Sequence, residues 1–367
     1  MFPYFHRSTR PDLIALLRTV AKDETFPSLS LLNDREVRWI IATGLGPLFW
    51  FVSSENSKTN SARDFRAADL TTRLINQIQL ETLSEILLKC KDLIPPITLL
   101  KGCSTGSELY PEPHLRVMGD LDLLVDRKDQ PQLEAALIEM GFRQQSTKNH
   151  EYYSSHHHSM PFYHPGKNVW VEVHQGLFPP NSASAKLAMF TPQNIAAELR
   201  SSRLKGIPVM RLSTELQIVY TASHWACDLK RRGGLFPFLD IIYLLRKAQR
   251  KIRWETILKW VQDSVAATHL YLVLSFLNQN NIFDLDEKLL ADLFVRQKSF
   301  GTLNLKIAHY LITRYIVAGK IPISAWRLAA LWENLLLDRG AAHNLVSASK
   351  NVLPSFGLRR ASVNLVR

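Results

Sequence analysis

The stretch Arg116-Val117-Met118-Gly119-Asp120-Leu121-Asp122-Leu123-Leu124-Val125 decides how the chain is read. Its apolar run extends beyond the second aspartate, and Pro113, His114, Arg116 and Gly119 ahead of it are loop-like, so the two carboxylates sit near the beginning of a strand. Residues two apart on a strand project from the same face, which lets Asp120 and Asp122 hold one or two divalent cations between them. Hard oxygen donors suit Mg2+, and a cation there neutralises the charge that develops on a transferring phosphate. Asp-x-Asp alone is a common pattern, and a solvated turn or strand start reads it as well; the surroundings have to choose.

Upstream, Pro95-Pro96 breaks a helix, and Ile97, Thr98, Leu99 and Leu100 form a short strand ending at Lys101-Gly102. Downstream, a helix is predicted over Gln130 to Met140, with Asp129 as cap, Pro131 in the first turn and Gly141 as its stop. Val169, Val171 and Val173 then alternate with Trp170, Glu172 and His174, the two-residue period of a half-buried strand. The first 95 residues read as helices, with Leu13, Leu16, Leu17 and Val20 on one face and a long amphipathic helix over 66–91 through Leu74, Ile75, Ile78, Leu83, Ile86 and Leu87. From about Thr191 to the end the reading is helical again, with starts at Thr191-Pro192 and Thr214-x-x-Gln217 and apolar faces as late as 303–317 and 323–337. The expected fold class is α+β: a small mixed sheet core over 96–180, between an N-terminal helical region, 1–95, and a C-terminal helical region, 181–367.

An earlier strand ending in a Gly turn, followed by Asp-hydrophobic-Asp at the start of the next strand, resembles the nucleotidyltransferase superfamily that includes DNA polymerase beta. Leu100-Lys101-Gly102, Leu109-Tyr110-Pro111, Arg116-x-Met118-x-Asp120-Leu121-Asp122 and Glu172-Val173-His174, in that order, look like a narrower uncharacterised bacterial nucleotidyltransferase family. His224-Trp225 on a later helix and Asp240 in an apolar helix match it too, so the resemblance covers roughly 95–245. It implies that the Glu172 strand lies beside the Asp120–Asp122 strand and that the three carboxylates hold two Mg2+ ions, with Glu172 helping to deprotonate an acceptor hydroxyl. It further implies an NTP substrate, a Gly102 that lets the backbone approach the phosphates, N–H groups at Cys103 to Thr105 that cradle them with Ser104 in the turn, and Lys101 and Arg116 as phosphate clamps. Taken alone, Glu172 is an exposed strand carboxylate.

Six of the twelve histidines fall within 25 residues: His150, His156, His157, His158, His164 and His174. Zinc is disfavoured, because no Cys or carboxylate stands at zinc-site spacing and three consecutive histidines on a strand or loop cannot all face one ion. His157 or His158 is expected to line the substrate cleft, and His174 to share a face with Glu172; a polar edge without chemistry is the competing reading. Asp240, among Phe238, Leu239, Ile241 and Ile242, needs a partner if buried, and His224, Lys230, Arg231 and Arg232 are near in sequence. A helix-to-helix tie and a role in base or acceptor recognition are both open for it.

The formal charge of +12 on 367 residues invites an anionic partner, but it is unevenly spread. Residues 1–200 are close to neutral, and the whole excess falls in 201–367, which suggests a basic helical wall opposite the acidic motif. A 46% apolar fraction excludes a disordered or low-complexity chain, and three scattered cysteines exclude a disulfide framework. No stretch approaches a membrane span and no export signal is recognisable, so a cytoplasmic enzyme is expected, with nucleic acid an unfavoured partner. The leading expectation is transfer of an NMP group from an NTP to an unidentified acceptor with release of pyrophosphate. The alternative is a catalytically degenerate nucleotidyltransferase-fold protein that binds RNA or another anion; a kinase is weaker, lacking its loop motifs.

Overall fold

The computed structural model describes residues 13–26, 29, 32–53, 60–180, 182–228, 235–248, 251–262, 264–297 and 305–306. Apart from residues 305–306, the helices expected over 303–317 and 323–337 lie outside the described residues, as does the basic triplet Lys230-Arg231-Arg232. Four helices come first: α1 (Leu13–Lys22), α2 (Asp34–Ala42), α3 (Gly46–Val52) and α4 (Asn60–Cys90). The mixed region holds β1 (Thr98–Leu99), α5 (Lys101–Leu109), β2 (Leu121–Leu124), α6 (Gln130–Glu139), β3 (Arg143–Gln144), α7 (His150–Ser154), β4 (Phe162–His164) and β5 (Val169–His174). Then follow α8 (Pro192–Ala197), β6 (Leu199–Leu204), β7 (Ile207–Leu212), α9 (Thr214–Asp228), α10 (Leu235–Ala248), α11 (Trp254–Trp260), α12 (Val265–Gln279) and α13 (Glu287–Arg296).

The strands form one sheet in the order β3-β4-β5-β2-β1-β7-β6. β2 pairs in parallel with β5 and antiparallel with β1, which in turn pairs in parallel with β7, so the sheet is mixed, as expected for an α+β chain. It is larger than its expected span. β6 and β7 fall where helix was anticipated, joined by Lys205 and Gly206, both with positive φ (48° and 83°), the two-residue hairpin turn whose twist suits antiparallel strands.

Alternation in β2 and β5 gives the sheet an apolar face. Leu121, Leu123, Val171 and Val173 are fully buried and pack with Leu83, Ile86 and Leu87 of α4 and Leu133 and Leu137 of α6. Leu74 and Ile75, from the same run of α4, stay exposed. That half of the helix packs instead through Ala62 and Phe65, whose ring stacks on Phe49 of α3. Gly141, at φ 89°, ends α6 in the left-handed conformation that favours glycine, whereas Asp129 makes no side-chain cap. The helices before and after the sheet share one core, in which Leu13, Leu17 and Phe49 join Leu216, Leu239, Leu270 and Phe276. Arg246 Nη1 donates to Val20 O at 2.8 Å and Arg18 Nε to Asn280 O at 2.8 Å across that junction. Among the described residues no helix is long and apolar enough to cross a membrane.

Candidate active site

The parallel register of β2 and β5 sets Asp122 directly beside Glu172 and Leu124 beside His174, on the face opposite the buried valines and leucines. His174, fully buried, brings Nε2 to 2.8 Å from Asp122 Oδ1 and 3.5 Å from Glu172 Oε2. One donor atom from each of Asp122, Glu172 and His174 lies within 4.8 Å of the others, a set able to hold a cation. Asp120, one residue ahead of β2, lines the same cleft but stands outside this trio.

A short turn brings α5 to the carboxylates. Leu100 N–H still donates to Asp122 O at 3.1 Å, as a continuation of the ladder; Lys101 then adopts φ 44°, a left-handed conformation unusual for a non-glycine residue, and the helix starts. This twist carries Lys101 Nζ to 2.7 Å from Asp122 Oδ1, the oxygen that also meets His174. At Gly102 a Cβ would stand 2.6 Å from Met118 Cγ, so the glycine is demanded first by the seating of the 116–119 loop on α5. Ser104 is not brought to the cleft. It lies on the buried face of α5, its N–H used by Leu100 O and its carbonyl and Oγ facing Arg211 of β7. Of the N–H groups expected to cradle phosphate, that of Ser104 is therefore already committed to the helix.

The electrostatics follow from three carboxylates sharing little solvent. The charge on Asp122, and then burial, push the Asp120 carboxyl up to about 7. Burial works against ionisation of Asp122 too, but the Lys101 ammonium and the His174 hydrogen bond outweigh it and hold Asp122 well below the usual carboxylate range. Glu172 is likewise lowered, burial being overcome by the His174 bond. His174 is raised despite burial by its bonds to Asp122 and Glu172, and Lys101 is raised despite burial by the Asp122 charge.

The opposite wall of the cleft comes from α9 and α10. Gln217, Tyr220, Thr221 and His224 recur at the spacing of one helix face, and Phe236, Pro237 and Asp240 follow from α10, enclosing about 280 Å3 with Lys101, Arg116 and Asp120. Among the described residues this wall carries no lysine or arginine, and the cations in the lining are Lys101 and Arg116, on the sheet side; the basic turn Lys230-Arg231-Arg232, between α9 and α10 in sequence, lies outside the described residues. Asp240 has partners beyond those near it in sequence. Arg116 Nε donates to both its oxygens (2.9 and 3.1 Å) and the Tyr110 hydroxyl to Oδ1 (2.8 Å), all in buried surroundings. Arg116 Nη1 donates to Val117 O at 2.8 Å, and the guanidinium lies over the Phe236 ring at 4.8 Å. The group expected to clamp phosphate thus ties the 116–119 loop to α10.

The histidine segment also departs from expectation. His156, His157 and His158 each place a donor nitrogen within 4.8 Å of the others. Strand alternation would splay them, but the chain is bent here: His156 N–H bonds back to Tyr153 O at 3.1 Å, and a single bridge, His158 to His174, joins the segment to β5. Burial, followed by the neighbouring histidines, lowers His156 to about 4 and pushes His157 lower still; His158 is lowered by burial against the pull of Glu172. The His157 and His158 rings each lie 5.3 Å from that of His174. Neither is among the residues lining the α9–α10 cleft, whereas His224 is.

Gln217, Tyr220 and Thr221 were not singled out from sequence; their i, i+3, i+4 spacing with His224 at i+7 was the available signal. A family model described as an uncharacterised nucleotidyltransferase matches residues 33–280, more than half of the chain, and the chain belongs to that family. No curated protein and no solved structure matches it.

Proposed function

We propose that the chain transfers an NMP group from an NTP to an acceptor hydroxyl in the cleft between β2 and α9, using Mg2+ held by Asp120, Asp122 and Glu172. The observation that carries this reading is the β2–β5 register, which sets Glu172 beside Asp122 on the one polar face of that pair and next to the cleft. The donor chemistry fits the ion: the carboxylates are hard oxygen ligands, and the repulsion from Asp122 that pushes the Asp120 carboxyl up to about 7 is what a cation between them would relieve. Bound there, Mg2+ would supply charge neutralisation at the transferring phosphoryl group and align the attacking oxygen.

The protein's own groups then have distinct tasks. Glu172, the more exposed of the paired carboxylates, accepts the proton of the acceptor hydroxyl. The new oxygen–phosphorus bond forms at the α-phosphorus as the bond to the β-phosphate oxygen breaks and pyrophosphate leaves. His174 fixes the orientation of Asp122 and Glu172 through Nε2. Lys101, already the countercation of Asp122, faces the departing phosphates, and the free N–H groups of the first turn of α5 add positive potential there. Arg116, Asp240 and Tyr110 position the loop that bears Asp120. The described part of the α9–α10 wall is polar and aromatic, a lining suited to a base or a neutral acceptor.

The test is Mg2+-dependent pyrophosphate release over a panel of NTPs and acceptors. Turnover that vanishes with chelator and with Asp122→Asn supports the reading. An activity that Asp120→Asn and Asp122→Asn leave intact overturns the metal assignment.

A further inference from the structure

We propose that His156, His157 and His158 form a second cation site, separate from the carboxylates, for a nitrogen-preferring divalent ion of the Zn2+ class. The proposal does not rest on nucleotidyl transfer. Three imidazoles are brought together with ring centroids 4.3, 4.3 and 4.8 Å apart and one donor nitrogen from each within 4.8 Å of the other two. Bonds of about 2.1 Å to a tetrahedral ion put donor nitrogens about 3.4 Å apart. His156 and His157 are half-buried, and binding would require their rings to turn by enough to close that difference.

Two further observations point to a ligand. His158 Nδ1 lies 2.8 Å from Ser159 O; a carbonyl only accepts, so Nδ1 carries the proton and Nε2 keeps its lone pair. Ligating imidazoles are ordinarily held this way by a carbonyl or carboxylate behind the ring. His156 and His157 each have an Nδ1 that is buried and lacks a hydrogen-bond partner among the described residues, as does the Nδ1 of His174 beside them. Buried polar atoms left unpaired are costly, and several in one cluster call for a bound group that satisfies them.

The backbone beneath these rings is anchored before any ion arrives. Gln175 N–H donates to His157 O at 2.9 Å, Gln175 Nε2 to His156 O at 3.0 Å, and Ser159 N–H to Val173 O at 2.9 Å, so both ends of the triplet are fixed to β5 and the residue after it. Glu172 Oε2 is 3.9 Å from His158 Nε2, so the triplet adjoins the carboxylate set without sharing its ligands. Three neutral nitrogens favour Zn2+, Ni2+ or Co2+, whereas the neighbouring oxygen set favours Mg2+, so ligand chemistry sorts the ions between adjoining sites.

The experiment uses the full chain, stripped with chelator and desalted, then titrated with Co2+ and read by visible absorption, with Zn2+ and Mg2+ as competitors. The expected result is one equivalent of Co2+ with the intense bands of a four- or five-coordinate nitrogen site, displaced by Zn2+ and unaffected by millimolar Mg2+. His156→Ala and His157→Ala are expected to weaken Co2+ binding at least roughly 10- to 100-fold, while Asp120→Asn retains it. Circular dichroism verifies the fold of each variant, and His157→Gln replaces any alanine variant that unfolds. No Co2+ band in the wild-type chain, wild-type affinity in folded histidine variants, or loss of binding in Asp120→Asn would each overturn the proposal. None of these readouts requires turnover, so a failed transferase assay leaves the test intact.

Discussion

The two faces of the β2–β5 pair are built from alternate residues of the same ten positions and follow opposite rules. On one, Leu121, Leu123, Val171 and Val173 vanish against α4 and α6, each contributing roughly 1.5–3 kcal/mol by burial that requires no particular partner. On the other, Asp122, Glu172 and His174 are withdrawn from water at a cost and hold their places through directed bonds with Lys101 and one another. The apolar face supplies stability and the polar face spends part of it on geometry. Substitutions on the two faces should therefore separate activity from stability.

The largest separation is expected at Asp122→Asn. On the polar face it removes a charge that the proposed transfer needs in its transition state, and kcat should fall on the order of 10³-fold, about 4 kcal/mol of barrier, in the pyrophosphate assay. Leu123→Ala, one residue away on the other face, is expected to cost about 3 kcal/mol in urea unfolding while the folded fraction keeps its turnover. Asp120→Asn should sharpen the contrast through pH. Its carboxyl rises on folding from 3.8 to about 7, so its contribution to stability is present below about pH 4 and is lost as pH climbs to 7. Metal-free wild-type protein should lose up to about 4 kcal/mol across that window through this group, a loss the variant should be spared. Gly102→Ala forces a methyl against Met118 and should cost about 1–2 kcal/mol with a parallel loss of activity, because the displaced loop bears Asp120. Tyr110→Phe, which deletes one bond to Asp240, is the mildest, at about 1 kcal/mol and a small rise in KM.

The same contrast explains what could be read from the chain alone. β2 and β5 were legible because a strand buried on one face writes its period into the sequence, and the carboxylates stood out against it. β6 reads Leu199-Arg-Ser-Ser-Arg-Leu204 and lies at the sheet edge, where no strict alternation is imposed, while Pro208 in β7 argues against a strand. That proline is tolerated because the pairing of β7 with β1 is at Met210. Glu172, Asp122 and His174 could be grouped from spacing and family resemblance. The tie from Asp240 to Arg116 and Tyr110 could not, since these partners are 124 and 130 residues away and every nearer cation was a plausible substitute. The convergence of the histidine triplet was not legible because it depends on a bend that strand alternation does not encode. The α9 face went unnoticed because a mixed polar and aromatic stripe lacks the contrast of an apolar one.

Register has a consequence for the quality of the folded population. A slip of one residue between β2 and β5 would set Asp122 beside a valine and deprive its oxygen of the His174 bond, while turning either strand over would drive its acidic residues into the α4–α6 core. Neither error can be absorbed as a slightly misaligned but compact molecule. Assembly of the carboxylates is thus proofread by the packing on the reverse side of the sheet, and molecules that fold at all fold with Asp122 and Glu172 in step.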